Sequence, residues 1–388
     1  MIKVIQSLPV WLPQTQTWIY NQIKYLPNQI LSHIVCGKTE NLDQFLLPNI
    51  NVISEGSLLD RYSHSHLKAS EQRSRLFWLW RNCLRVKPDI IHSHFGTTGW
   101  DDSCVVRLTK AKHIVTFYGF DVNMIPQQNP SWIGRYKTLF QSADLFLCEG
   151  PHMAKCIKSL GCPQEKIRVH HLGVEVYRLP FKPRLWHPGE PLRILIAASF
   201  REKKGIPYAL EAIARLKNEV DIQVTIIGDA STEERSIGEK KRILLMIDQY
   251  DLHSRVQMLG FQPYSILMEQ AYKHHIFLSP SVTAEDGDTE GGAPVTIIEM
   301  IATGMPVVSS THCDIPEVIV HGKTGFLAGE KNSDELACHL KGLVKHPENW
   351  SKIIEAGYMK IKKEFDVKLQ AAGLGKFYES VVAGTKNY

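Results

Sequence analysis

Residues 288–308 read DTEGGAPVTIIEMIATGMPVV, a run that sets two acids able to do chemistry, Glu290 and Glu299, on either side of a Gly-Gly-Ala-Pro turn. Pro294 suits the first turn of a helix, where its missing N–H costs nothing, and Gly304 suits the position just past the end. The spacing predicts a helix over 294–303, fed by the loop from Glu290. A helix start of this kind presents unpaired N–H groups and the positive end of a dipole, a setting that favours phosphate. Gly291 and Gly292 carry no Cβ, so a ligand can come close to the backbone. Glu299 lies among Ile297, Ile298, Met300 and Ile301. A carboxylate there is costly unless it accepts hydrogen bonds, and ribose hydroxyls are suitable donors. A plainer reading fits the same residues: Glu299 on the polar side of an amphipathic helix, with the glycines merely turning the chain.

Those residues need elements to hold them. IKVIQS, SHIVCG, DIIHSHF, HIVTFYG and DLFLCEG read as strands in the first half, and LRILIAASF, VTIIGDA, VQMLGF, IFLSPS and PVVSST in the second. Continuous apolar runs separated by helix-length stretches argue for parallel sheets covered on both faces. The pattern restarts after FKPRLWHPGEPLR, where Pro180, Pro183, Pro188 and Pro191 cluster. The expected organisation is an α/β domain at 1–180, a linker at 181–191, a second α/β domain at 192–365, and a C-terminal helix at 366–388 packing back toward the first. Ligands of such sheets sit at the carboxyl ends of the strands.

With 388 residues, 44% hydrophobic and 22% charged, the chain is an ordinary globular protein of about two domains. A net charge of +5 is compatible with an anionic small molecule or a membrane surface. No basic aromatic sheet motif or recognition helix points to nucleic acid. The eight cysteines are scattered without a CxxC pair, which reads as reduced, mostly buried thiols in a cytoplasmic protein. No run nears the roughly 18 apolar residues of a spanning helix, and the opening MIKVIQSLPVWLP lacks a signal peptide's apolar stretch.

Taken together, E-GGAPVTII-E-MIATGMPVVSS and the following DIPEVIVHGKTGFL resemble the signature of the retaining glycosyltransferases of family 4, of GT-B fold. SFREKKGIPYALEAIARL (199–216), VTIIGDA (224–230) and RVQMLGF (255–261) extend the likeness. Weaker echoes are PQTQTWIYNQI (13–23), PDIIHSHFG (88–96), TFYGFDV (116–122) and VHHLGVE (169–175). The likeness covers nearly the whole chain and is closest to bacterial transferases of colanic-acid and exopolysaccharide type. It implies two Rossmann-like domains with parallel sheets facing across a cleft, and a hexose moved from a nucleoside-diphosphate sugar to a growing, lipid-linked glycan. It implies no metal and no cofactor.

Carried over by position, the resemblance implies that Glu299 binds the ribose and that Glu290 lies at the sugar, beside the backbone of Gly291, Gly292, Ala293, Pro294 and Val295. Lys204 and Arg201 would neutralise the diphosphate, and Gly260 and Phe261 would lie near the base. Tyr118 and Asp121 would join Glu290 as catalytic residues, and Thr15, Gln16, Thr17 and His94 would line the acceptor side. Three departures stand out. The two glutamates enclose eight residues where the family has seven; Ser199 stands where the family arginine precedes the lysine by five; and Tyr118 replaces a histidine. Arg201 is the substitute for the missing arginine, on the same strand face as Ser199. A tyrosine can donate one hydrogen bond but is no proton carrier near neutral pH.

His92 and His94 share a strand face, as strand packing or acceptor contact rather than a metal pair, since no third ligand lies near. RSRLFWLWRNCLRVK (73–87) alternates arginines with aromatic residues. It fits an interfacial helix on anionic lipid, and equally a helix whose apolar stripe packs on the first sheet. The readings that compete with transfer keep the fold: a non-catalytic or epimerase-like nucleotide-sugar-binding protein.

Overall fold

Apolar runs without alternation need cover on both faces, and every strand expected above forms in a parallel sheet. The computed structural model describes residues 1–13, 16–53 and 71–385. Two compact units result, Met1–Val174 with Val367–Tyr388, and Glu175–Asp366.

In the first unit seven parallel strands run in the order Ile50–Val52, Ile30–Cys36, Ile2–Ser7, Ile90–His94, Lys112–Thr116, Leu145–Cys148, Ile167–Val169. Successive side chains of a strand face opposite layers. Val4, Ile90, Ile114 and Leu145 pack under Leu374, Tyr378 and Val381 of the C-terminal helix Val367–Ala383. Ile5, Val35 and Ile91 pack under Trp78, Leu79, Cys83 and Val86 of the helix Glu71–Val86. The arginine-and-aromatic helix therefore does bury an apolar stripe on the first sheet.

The second unit has six parallel strands in the order Val256–Gly260, Ile222–Ile227, Leu192–Ala197, Ile276–Ser279, Val307–Ser310, Phe326–Ala328. The order reverses between Leu192–Ala197 and Ile276–Ser279, so the chain leaving those two neighbours diverges and opens a crevice at their carboxyl ends. One exit carries Lys204, and the other carries Glu290. The helix after the glycine turn is Val295–Ala302, and Pro294 stands just before it with an extended ψ of 128°. Among the described residues no helix is long and apolar enough to cross a membrane. All eight cysteines are free, but only four are buried, fewer than the sequence reading expected.

Residues 181–191 lie on the second unit rather than apart from it. Arg184 is buried, and burial pulls its guanidinium down to about 10. It donates to the carbonyls of His274 at 3.1 Å, Ala271 at 2.8 Å and Thr303 at 3.0 Å, and to that of Lys182. Ala271 and Thr303 sit at the carboxyl ends of the helices Tyr264–Lys273 and Val295–Ala302, where carbonyls lack helical partners. One guanidinium thus closes two helix ends, and the second of those helices carries Glu299. Arg184→Met keeps the stem and strips four carbonyls of their donor, three of them in buried contacts. The expected loss is about 2–4 kcal/mol, read as a lower urea midpoint; a change under about 0.5 kcal/mol would contradict this role.

Candidate functional site

The site grows from the two exits of the second sheet. After Leu192–Ala197 the chain makes a short turn, Glu202–Lys204, that ends on Gly205 with φ 65°. A Cβ at Gly205 would lie 1.9 Å from the Pro280 carbonyl oxygen, so only glycine lets the turn dock on the residues following Ile276–Ser279. The Val282 amide donates to the Lys203 carbonyl at 2.8 Å and completes that docking.

Consecutive lysines then divide two acids between them. Lys204 Nζ lies 2.8 Å from both carboxylate oxygens of Glu290, and Ser281 Oγ donates to the same carboxylate at 2.8 Å. Lys203 Nζ meets Asp288 Oδ1 at 3.0 Å and the Thr289 carbonyl at 2.8 Å, while Arg201 meets Asp288 Oδ2 at 2.6 Å. Arg201 and Lys204, expected together on a diphosphate, are thus engaged with different acids. Burial pushes the Glu290 carboxyl up, but the charges of Lys204 and Lys203 outweigh it and hold it down at about 2. Glu290 is therefore a fixed anion at neutral pH and a poor proton acceptor.

The backbone of the glycine turn is held from the other side by His312 and Cys313. The Glu290 amide donates to His312 Nε2 at 3.1 Å, which leaves Nδ1–H to donate to Glu330 at 2.7 Å. The Gly291 amide is directed at Cys313 Sγ. Of the turn amides expected to face a ligand, that of Gly291 is therefore committed to the protein. The helix start leaves the amides of Val295 and Thr296 without a partner among the described residues. Gly291 itself has φ 78°, which the turn requires.

Glu299 has different surroundings. Tyr264 donates its hydroxyl to Oε1 at 3.0 Å, and the described residues give Oε2 no partner. Burial raises the Glu299 carboxyl to about 7, with the Tyr264 hydrogen bond opposing and the nearby charge of Glu175 adding to the rise. Gly260 ends its strand with φ 67°, and Phe261 beside it is largely exposed. Tyr264, His312 and Asp288 were not singled out from the sequence. The alternation of Asp288 and Glu290 against Lys203–Lys204 was the only signal available for any of them.

In the first unit Tyr118, Asp121 and His94 are buried. Asp121 accepts from the Gly96 amide at 2.7 Å and the Tyr118 amide at 3.0 Å, so both carboxylate oxygens hold backbone together. Burial lifts it to about 6. Tyr118 and His94 belong to a closed circuit of donors. Gln6 Nε2 donates to Tyr378 Oη at 3.1 Å, and Tyr378 to His92 Nδ1 at 2.7 Å; His92 Nε2 donates to Thr116 at 2.7 Å. Thr116 donates to Tyr118, Tyr118 to His94 Nδ1 at 2.7 Å, and His94 Nε2 returns to Gln6 Oε1 at 3.0 Å. The directions follow because an amide nitrogen only donates and its oxygen only accepts, and burial keeps both histidines neutral, His94 at about 3. Tyr118 and Asp121, expected as catalytic residues, are thus held by hydrogen bonds inside the unit: the Tyr118 proton goes to His94, and both Asp121 oxygens accept backbone amides. Gln16 and Thr17 stand at the start of the helix Thr17–Lys24, and Thr15 lies outside the described residues.

The two glutamates should leave opposite marks on stability. Glu290 and Glu330, both held near 2, add stability that is present above the ordinary carboxylate range and is lost as pH falls toward 2. Glu299 is raised from 4.5 to about 7, so the folded chain binds its proton across that window and the stability contribution falls as pH rises through it. Glu299→Gln should unfold with wild type at pH 4.5 and be about 1–2 kcal/mol more stable at pH 8, a figure reduced for its partial exposure. Thermal unfolding at the two pH values checks this; a difference that fails to grow with pH would contradict it.

The model for Glycosyl transferases group 1 matches residues 180–360, and that for Glycosyltransferase Family 4 matches residues 15–178. The putative colanic acid biosynthesis glycosyltransferase WcaL of Salmonella typhimurium is 34% identical over 258 residues, 65% of this chain and 60% of that protein. The amylovoran biosynthesis glycosyltransferase AmsK of Erwinia amylovora is 33% identical over 297 residues, 75% of this chain and 70% of that protein. Among solved structures, Anabaena Alr3699/HepE in complex with UDP and glucose superposes with a TM-score of 0.79 at 15% identity, over 98% of this chain and 100% of that one, which shows the GT-B fold. With both halves matched and a relative of this identity and coverage, the chain belongs to the family 4 glycosyltransferases.

Proposed function

We propose that this chain is a retaining hexosyltransferase of exopolysaccharide assembly, moving a sugar from a nucleoside diphosphate to a growing, lipid-linked glycan without a metal ion. The observation that carries the reading is the Lys204–Glu290 contact at one end of the glycine turn, with Glu299 and its open Oε2 in the helix beyond. In this reading Glu299 accepts from the ribose. Lys204 shares its charge between Glu290 and the departing diphosphate, and the amides at Val295 and Thr296 add to that stabilisation. Glu290, held ionised, accepts from sugar hydroxyls and faces the positive charge that develops at the anomeric carbon. The bond from that carbon to the diphosphate oxygen breaks, the acceptor oxygen takes its place on the same face, and the acceptor proton leaves with the diphosphate. Two relatives named for colanic acid and amylovoran biosynthesis support the pathway class, and the UDP and glucose held by HepE support the donor class.

Thermal stability measured against UDP-, GDP- and ADP-sugars tests the donor claim, because a ligand that binds the folded chain raises its melting point. One nucleotide should shift it; no shift with any would remove the reading. Glu299→Ala should abolish the shift. Glu290→Ala should leave it and lower transfer about 10²–10³-fold, with wild-type transfer persisting in EDTA. The reverse pattern would exchange the two roles.

The helix Glu71–Val86 supports contact with anionic lipid. Opposite its buried stripe, Phe77 and Leu84 are exposed, with Arg73 and Arg85 beside them. Reversing the charges of Arg73, Arg81 and Arg85 should release the protein from anionic vesicles in a sedimentation assay; unchanged sedimentation would refute the contact.

A further inference from the structure

Resting on the reading of Glu299 as the ribose acceptor, the geometry points to Tyr264 as a second donor-binding residue, one that with Glu299 recognises the two vicinal hydroxyls of the ribose. The pair is built for this. The chain leaves Val256–Gly260 through Gly260 and Phe261, and Pro263 caps the helix Tyr264–Lys273, placing Tyr264 at its first position. That helix is tied at its far end to the helix of Glu299 by Arg184, so the two side chains are fixed relative to each other. The Tyr264 hydroxyl donates to Glu299 Oε1 at 3.0 Å, yet 46% of the residue remains exposed. A core tyrosine satisfying a buried acid would be covered; this one keeps an open side.

The chemistry of the two groups is complementary to a diol. Tyr264 spends its single proton on Glu299 Oε1, which leaves the phenol oxygen with acceptor capacity. Glu299 Oε2 is the second acceptor, with no partner among the described residues. A ribose presents two adjacent O–H donors, and two adjacent acceptors can take both protons. A site built to bond a hydroxyl rejects the analogue lacking it, because the buried group is then left unpaired. The charged and titratable groups facing Glu299 are Tyr264 and Glu175, and Tyr264 in turn faces Glu175 and Tyr272. Without the phenol's donation the carboxyl, already raised by burial, holds its proton more tightly, and a protonated Glu299 is a weaker acceptor. Tyr264 therefore acts twice, as a direct hydroxyl acceptor and by keeping Glu299 ionised.

The test uses the full chain, with UDP, GDP and ADP and their 2′-deoxy counterparts as probes, in calorimetric titrations of wild type and Tyr264→Phe. Wild type should bind one ribonucleotide about tenfold more tightly than its 2′-deoxy form. At a pH above both binding midpoints, Tyr264→Phe should lose about tenfold for the ribonucleotide and under about twofold for the deoxynucleotide, which lacks the 2′-hydroxyl assigned to the phenol oxygen, and the pH midpoint of its binding should move upward. Equal loss for both nucleotides with an unmoved midpoint would mark a merely structural tyrosine and overturn the inference, as would a variant that binds like wild type. Wild type binding none of the diphosphates would instead remove the donor reading itself. Should Tyr264→Phe unfold, Tyr264→Leu, which lacks both the hydroxyl and any other side-chain donor, carries the same expectations.

Discussion

Lys203 and Lys204 divide Asp288 and Glu290 between them, and the shape of the glycine turn depends on that division. Residues 280–294 have no regular structure, so their backbone cannot be held by a ladder of hydrogen bonds. Charge takes over that task. Asp288, 3% exposed in its side chain, is pinned by Arg201 and Lys203, and Glu290, 6% exposed, by Lys204. Removing one partner of such a buried pair typically costs about 3–5 kcal/mol, because the remaining charge is stranded. The same lysines sit on a turn that glycine alone can dock, so the two exits of the sheet lock each other. His312, oriented by Glu330, then takes the Glu290 amide from beneath. Side chain and backbone of the acid are fixed by separate partners.

One buried cluster of the first unit is held differently, by neutral groups. Gln6, Tyr378, His92, Thr116, Tyr118 and His94 pass a proton-donor direction around a ring in which none is left without a partner. A buried ring of this kind costs nothing in stranded charge, provided every member is satisfied. Tyr378 enters it from the helix Val367–Ala383, more than 280 residues from His92 along the chain. The tyrosine that stands in place of the family histidine at 118 is one member of the ring. Its hydroxyl has one proton, and that proton goes to His94.

What could be read from the sequence follows from what is local. The long apolar strands declared themselves by composition. The strands Ile50–Val52, Ile167–Val169 and Phe326–Ala328 did not, since each is a three-residue edge too short to show a pattern. Glu299 was legible because a charged residue inside Ile297, Ile298, Met300 and Ile301 is anomalous on its face. Arg184 was not: it stands in a proline-rich stretch that reads as a linker, and its acceptors at Ala271, His274 and Thr303 lie 87 to 119 residues away. Tyr264 and His312 were hidden for the same reason, their partners being joined to them only by the fold. The motif marks the turn, but the pairing of each lysine with its acid is set by the fold.

Charge also explains why two glutamates at one turn end in opposite states. In the proposed function, a diphosphate brought to this site adds negative charge where Glu290 is already ionised, and Lys204 cancels one of the two, not both. If Glu299 were as acidic as Glu290, the site would hold an uncompensated carboxylate before the ligand arrived. Burial instead raises Glu299 to about 7, so near neutrality its charge is only partly present. The hydrogen bond from Tyr264 draws it back toward the ionised form that accepts best. The helix start at Val295 supplies the remaining positive potential. Burial of Glu299 lowers stability at high pH, yet it limits the negative charge that an incoming diphosphate must overcome. A residue chosen for folding alone would have been neutral at this position, and the proposed ribose contact gives the carboxyl its reason to be there.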